Sequence, residues 1–83
     1  MNELVIFVLR GKVRKAIILN LTKPKNANQL AKDINTHLPT ISRALKDLIK
    51  KGLVRCLNTN YVGFKLYELT DYGKFILEEV KKY

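Results

Sequence analysis

The chain has 83 residues, of which 47% are hydrophobic and 28% charged, which fits one compact domain over residues 1–83 and excludes two. Sixteen lysines and arginines against seven acidic residues give a net charge of +9, so polyanions are the natural partners. The lone Cys56 excludes an internal disulfide and predicts a cytoplasmic protein. The longest apolar run, Leu4–Leu9, is too short to span a membrane.

The first half of the chain predicts two helices before residue 22. The apolar run from Asn2 to Leu9 has no period and is compatible with a strand or a helix, of which we favour the helix. From Lys12 to Thr22 the apolar residues recur at helical spacing with basic residues on the other side. These apolar residues are Val13, Ile17, Ile18 and Leu21.

Two further helices are predicted between residues 26 and 52. Asn26 or Asn28 can cap the first of them. Its apolar residues follow the i, i+3, i+4, i+7 pattern, at Ala27, Leu30, Ala31 and Ile34. A tight connection at residues 35–37 leads to Pro39, which suits a first helical turn, and Gly52 ends this next helix.

The remainder of the chain predicts a hairpin and a last helix. Two β-prone runs, Leu53–Leu57 and Phe64–Leu69, are separated by turn-forming residues from Asn58 to Gly63. Thr70 can cap a helix that begins at Asp71. The fold class is therefore mainly α with a β-hairpin (α+β), in the order of a winged helix-turn-helix domain.

The helix around residues 39–51 has two chemically different faces. At 100° per residue one face is apolar, formed by Leu38, Ile41, Ala44, Leu45, Leu48 and Ile49. The opposite face carries Pro39, Arg43, Lys46 and Lys50, flanked by Ser42 on one side and by Thr40 and Asp47 on the other. The first face predicts a core contact and the second a solvated or ligand-binding surface.

The polar face has the chemistry that a DNA major groove requires. Base edges there offer acceptors to Arg and Lys and mixed patterns to Ser and Thr. We therefore predict base contacts by Thr40, Ser42, Arg43 and Lys46, and phosphate contacts by Lys50 and Lys51 further along the helix. The alternative is an ordinary solvated face, in which Arg43 and Asp47 form an i, i+4 ion pair.

Three segments resemble a known family: Leu30–Asn35, Pro39–Leu45 and Leu48–Val54, followed by Tyr67–Gly73 at the passage from the wing into the last helix. Together they resemble the DNA-binding core of winged-helix transcription regulators of the MarR-like and ArsR-like kind, over about residues 12–80. The start of the chain, from Phe7 to Ile17, is similar to small archaeal members.

This resemblance implies a homodimeric regulator that binds double-stranded DNA. It places Thr40, Ser42, Arg43 and Lys46 at bases and Gln29 and Thr36 near phosphates. Thr36 stands where an apolar residue is common, so we expect Leu38 to pack in its place. The wing tip has no Arg or Lys, so Arg55 and Lys65 at its base are the expected wing contacts, and His37 beside the turn is either a DNA contact or an ordinary surface histidine.

Other functions lack the residues that they need. One Cys and one His argue against metal sensing, no nucleophile and base pair suggests an enzyme, and no cofactor or small-molecule site is evident. Cys56 is expected to be a half-buried hydrophobe rather than a redox sensor. The wing aromatics Tyr61, Phe64 and Tyr67 fit packing better than single-strand stacking.

The apolar segments at the two ends predict a two-fold dimer contact, or simple packing on their own domain. They comprise Leu4–Val8 in the N-terminal segment 1–10 and Tyr72, Phe75, Ile76, Leu77 and Val80 in the C-terminal segment 71–83. We expect a sequence-specific transcription regulator associated with the nucleoid. The alternatives are a winged-helix protein–protein interaction module and a non-specific chromatin-type DNA-binding protein.

Overall fold

Five helices and three strands make up the computed structural model, which describes residues 2–59 and 63–83. The elements in chain order are α1 (Glu3–Arg10), α2 (Lys12–Asn20), β1 (Lys25–Asn26), α3 (Ala27–Ile34), α4 (Leu38–Lys50), β2 (Val54–Cys56), β3 (Leu66–Leu69) and α5 (Asp71–Val80). All five predicted helices and both strands of the hairpin are present. The N-terminal apolar run is a helix, as favoured.

Side-chain caps explain where three of the helices begin. Asn2 Oδ1 accepts from the N–H of Leu4 at 2.7 Å, and Thr70 Oγ1 accepts from the N–H of Gly73 at 3.0 Å. Asn26 and Gln29 form a reciprocal capping box at α3, in which each side chain accepts from the other residue's N–H at 2.8 Å. Asn26, one of the two predicted caps, is therefore the residue that starts α3.

The sheet contains one strand more than the predicted hairpin. Its order is β1-β3-β2, and both pairings are antiparallel. The additional strand β1 pairs Lys25 with Tyr67 and Asn26 with Leu66, and so ties the start of α3 to the wing. Of the predicted turn Asn58–Gly63, residues 60–62 lie outside the described residues, including Tyr61.

The core confirms most of the predicted apolar face of α4. Ile41, Ala44, Leu45 and Leu48 are buried against α2 and α3. Leu38 and Ile49, predicted in the same face, are each 40% exposed. Both residues lie on the side of α4 that the helical period predicts. They stand at the two ends of the helix, where they face clefts beside the wing instead of the core. The expectation that Leu38 packs in place of Thr36 is therefore wrong.

The end of α4, the wing and α5 meet at one backbone junction. Gly52 follows α4 with a φ of 76°, the left-handed conformation that glycine adopts at low cost. Thr70 Oγ1 donates to the carbonyl of Gly52 at 2.6 Å, and the N–H of Thr70 donates to the carbonyl of Leu53 at 3.0 Å. These bonds fix the orientation of the wing relative to α4.

Candidate nucleic-acid interface

Helix α4 presents the predicted polar face to solvent. Pro39, Ser42, Arg43, Lys46 and Lys50 are exposed, and Thr40 is half-buried at the edge of this face. The buried residues on the opposite side hold the helix against the domain, so the cationic face has a defined orientation.

The cations of α4 are not neutralised within the helix. The guanidinium Nη2 of Arg43 lies 3.5 Å from Thr40 Oγ1, and the ion pair with Asp47 that the alternative of an ordinary solvated face contained does not form. The ion pairs among residues 2–59 and 63–83 lie elsewhere and leave out Arg43, Lys46 and Lys50. These three residues therefore keep their charge available for an anionic partner.

Lys51, predicted beside Lys50 at phosphates, is directed to another part of the molecule. Its Nζ lies 5.4 Å from the centre of the Phe7 ring on α1, which also has the Arg14 guanidinium above it at 3.9 Å. Both arrangements are cation–π contacts. Lys51 thus faces α1, and Lys50 is the last of the exposed cations Arg43, Lys46 and Lys50 on the outer face of α4.

The connection between α3 and α4 positions the predicted turn residues. Asn35 adopts the left-handed conformation, with φ 60° and ψ 53°, and the N–H of Thr36 donates to the carbonyl of Ala31 at 3.0 Å. Thr36 is half-buried and His37 is exposed immediately before α4. At the other end of α3, the capping box uses the side-chain oxygen and the backbone N–H of Gln29. The side-chain nitrogen Nε2 of Gln29 is then the group that can donate to a phosphate.

The wing brings two more predicted cations beside α4. Lys46, Arg55 and Lys65 line one cleft of about 600 Å³ between α4 and the wing. Lys65 is exposed, whereas Arg55 Nε donates to Glu68 Oε2 at 2.7 Å across the β2–β3 pair. Glu68 partly neutralises Arg55, which the sequence reasoning did not anticipate.

A second cleft lies between the start of α4, the start of α3 and the wing. It has a volume of about 220 Å³, and its lining includes Asn28, Leu38, Ser42, Phe64 and Lys65. Asn28, Leu38 and Phe64 were not predicted at the interface. They carry no charge, and the period of α4 assigns Leu38 to the core, so only their exposure in the folded chain identifies them.

Two half-buried groups of the wing lie behind these clefts. Tyr67 lines both, and its pKa is raised above the ordinary value of 10.0 by burial and, to a smaller extent, by the neighbouring Cys56. The phenol therefore remains neutral at physiological pH. Cys56 is half-buried, as predicted.

The described ranges 2–59 and 63–83 contain neither a metal-binding cluster nor a membrane-spanning helix. No three His, Cys, Asp or Glu side chains come together there as they would around a metal ion. No helix in those ranges has the length and apolar character needed to cross a membrane.

The fold and this surface define the class of protein. The chain is a winged helix-turn-helix domain. It has a short helix, a turn with a left-handed residue, a longer helix with a cationic outer face, and an adjacent hairpin. The family model described as "Methanogenesis regulatory protein FilR1, N-terminal domain" matches residues 2–83. The chain belongs to this family of regulatory-protein domains, while the archaeal source suggested by its N-terminal segment stays a prediction.

Solved structures of transcription regulators share the fold and confirm the MarR-like resemblance. The adhesin competence repressor AdcR from Streptococcus pyogenes superposes with a TM-score of 0.77 at 23% identity, over 95% of this chain and 66% of that chain. The MarR family transcription regulator SP03579 gives 0.77 at 27% identity, over 90% and 54%. The repressor CouR, bound to a 23-mer DNA duplex, gives 0.76 at 23% identity, over 86% and 52%.

The chain thus spans about half to two thirds of the length of these three proteins. No curated protein matches the sequence.

Proposed function

We propose that this chain binds double-stranded DNA in a sequence-specific manner and regulates transcription, with α4 lying in the major groove. The observation that carries this proposal is the face of α4 formed by Arg43, Lys46 and Lys50, which is exposed and forms no ion pair with any other residue that the structure describes. An interaction module would be expected to expose an apolar patch there instead.

The two ends of the exposed face have different roles in the proposed complex. Thr40, Ser42 and Arg43 lie in the first two turns of α4, from which recognition helices contact bases, and Lys46 follows one turn later. Lys50, near the end of the helix, meets the phosphate backbone. Arg43 suits a guanine because its guanidinium can donate two parallel hydrogen bonds to O6 and N7.

The surrounding elements supply the backbone contacts that position α4. Gln29 lies at the start of α3, Thr36 and His37 lie in the α3–α4 connection, and Arg55 and Lys65 lie on the wing. Such contacts fix the register of a protein on the duplex without reading its sequence. The DNA-bound neighbour CouR has the same fold, which supports this docking but does not specify its contacts here.

The experiment is fluorescence anisotropy with random-sequence duplex DNA over a series of salt concentrations. We compare the wild type with Arg43→Ala and Lys46→Ala, and we use Lys74→Ala as a matched control because Lys74 is an exposed cation on α5. Log affinity falls as log salt rises, and each lost phosphate contact should make this slope shallower by about 0.9. Both α4 variants should weaken binding more than Lys74→Ala does.

Two results would contradict the proposal. One is the absence of duplex binding at low salt, which would redirect the search to a protein partner. The other is equal weakening by all three substitutions, which would indicate a general charge effect and a chromatin-type coating protein. If binding is specific, selection from random duplexes should enrich one sequence, and Arg43→Ala should relax the preference at one position.

The proposal includes a homodimer associated with the nucleoid in the cytoplasm. Tyr72 and Phe75 on α5 are 43% and 53% exposed, and their rings stack at 6.1 Å. A partner that covers them through a two-fold axis would present two α4 helices roughly 34–36 Å apart, which is one turn of DNA. The contact at α1 and α5 is tested below by the association state.

A further inference from the structure

The 220 Å³ cleft between α3, α4 and the wing is lined by both apolar and polar side chains. Leu38 and Phe64 contribute apolar side chains, whereas Asn28, Ser42 and Lys65 contribute groups that can donate hydrogen bonds. Pockets that enclose small molecules are typically about 300–1,000 Å³. This cleft is therefore suited to part of a larger partner that combines apolar surface with negative charge.

Both apolar side chains of the cleft are exposed to solvent. Phe64 is 66% exposed and Leu38 is 40% exposed, so neither contributes to the core as its residue type would favour. A contact that covers them removes apolar surface from water and is favourable without any charge.

The backbone that carries Phe64 is held in place by Asn58. The Asn58 Nδ2 donates to the carbonyl of Phe64 at 3.0 Å, and its Oδ1 accepts from the N–H of Leu66 at 2.8 Å. Leu38 is held at the start of α4. Because the backbone is already held at both residues, little conformational entropy of this chain is lost when a partner binds the cleft.

The position of the cleft relative to the proposed DNA indicates which part of the duplex it would meet. If α4 lies in the major groove, as proposed above, the sugar–phosphate strand bordering that groove passes between α4 and the wing. A deoxyribose ring is largely hydrocarbon and is followed at once by an anionic phosphate. This alternation matches the apolar side chains of Leu38 and Phe64 beside the ammonium group of Lys65.

We infer that Leu38 and Phe64 form an apolar clamp on the deoxyribose of a DNA backbone strand, with Lys65 at the adjacent phosphate. This inference rests on the proposed function and assigns the wing a contact that does not depend on charge. It explains how a wing whose tip lacks Arg and Lys still contributes to binding.

The test separates apolar from ionic contributions by their salt dependence. Leu38→Ala and Phe64→Ala should each weaken duplex binding by about 5- to 20-fold, from the apolar area left uncovered. The slope of log affinity against log salt should stay unchanged, because neither variant loses a phosphate contact. Lys65→Ala should instead reduce that slope by about 0.9.

Matched variants control for a general loss of apolar surface. Leu19 on α2 is 38% exposed, so Leu19→Ala removes the same side chain at nearly the same exposure away from the cleft and should leave affinity unchanged. Phe64→Leu should retain most of the binding that Phe64→Ala loses. Circular dichroism and thermal melts verify that each variant is folded.

The outcomes distinguish this inference from the proposed function. If the wild type binds duplex DNA and both cleft variants bind equally well, the clamp is overturned and the proposed function is unaffected. If the wild type does not bind, both are overturned. If Leu38→Ala and Phe64→Ala reduce self-association in sedimentation experiments rather than DNA affinity, the cleft belongs to a second copy of the chain and the clamp is wrong.

Discussion

The backbone around Gly73 leaves no room for a side chain. A Cβ at this position would lie 2.0 Å from the carbonyl oxygen of Leu53 and 3.3 Å from the Cβ of Leu69. The same Leu53 carbonyl accepts the N–H of Thr70. The absence of a side chain at Gly73 therefore lets α5 approach the junction between α4 and the wing.

We predict that Gly73→Ala lowers the free energy of unfolding by about 2–3 kcal/mol, because the backbone of Leu53 must shift to make room. Urea denaturation measures this change. Gly52→Ala is the comparison, since its added methyl meets open space and its cost, from a φ of 76°, should be about 1–2 kcal/mol. A Gly73→Ala protein as stable as the wild type would contradict the close approach.

Individual residues also show where reasoning from sequence reaches its limit. The cations of α4 were predictable because periodicity separates them from the apolar face. The position of Lys51 over Phe7 was not, because α1 lies far away in the chain. The packing predicted for Phe64 is wrong, since its side chain is 66% exposed. The sequence could not show this, because an aromatic residue beside a strand is ordinarily packed.

Among the elements, the helices were predictable and the smallest strand was not. Apolar spacing and capping residues such as Asn26 and Thr70 determine the helices locally. Strand β1 has two residues without a pattern, and it forms only because β3 offers a free edge. The register of β2 against β3 was equally open, because a long turn does not determine which residues face each other.

That register leads to a prediction about the wing. Arg55 lies opposite Glu68 and forms an ion pair with its carboxylate. Glu68→Gln removes this ion pair, so the guanidinium of Arg55 should then be able to contact DNA. We expect higher duplex affinity and a slope of log affinity against log salt that is steeper by up to about 0.9. Stability should fall by at most about 1 kcal/mol, as for other exposed ion pairs.

Glu78→Gln provides the control for this prediction. Glu78 on α5 pairs with Lys81, which follows the helix, at 3.1 Å. Its loss changes the net charge equally but at a site away from the proposed DNA interface. Anisotropy titrations at several salt concentrations compare the two variants. Equal gains in affinity would mean that only the net charge matters and that Arg55 does not reach the DNA.

At the scale of the whole molecule, α1 and α5 form one continuous surface. The two helices pack together, and Asn2 Nδ2 donates to the hydroxyl of Tyr72 at 3.3 Å. Tyr72 and Phe75 extend from this surface with large exposed fractions. An apolar surface on the side of the molecule that α4 does not occupy can associate with a second copy without obstructing DNA.

We therefore predict that Phe75→Glu dissociates the proposed dimer, because the two-fold axis would bring two buried charges together without partners. Sedimentation velocity at micromolar concentration should show a monomer, whereas Leu19→Glu on α2 should leave the association state of the wild type intact. A wild type that is itself monomeric under these conditions would contradict the dimer.

The association state should also determine how the protein reads DNA. A dimer selects two half-sites whose centres are separated by about 10 base pairs, whereas a monomer selects one. Duplexes enriched by the wild type should accordingly contain an inverted repeat, and inserting five base pairs between its halves should weaken wild-type binding because the second half-site turns to the opposite side of the helix. Phe75→Glu should bind the original and the lengthened duplex equally, since a single α4 needs only one half-site. If the wild type is also indifferent to the insertion, each domain docks independently and the dimer does not contribute to recognition.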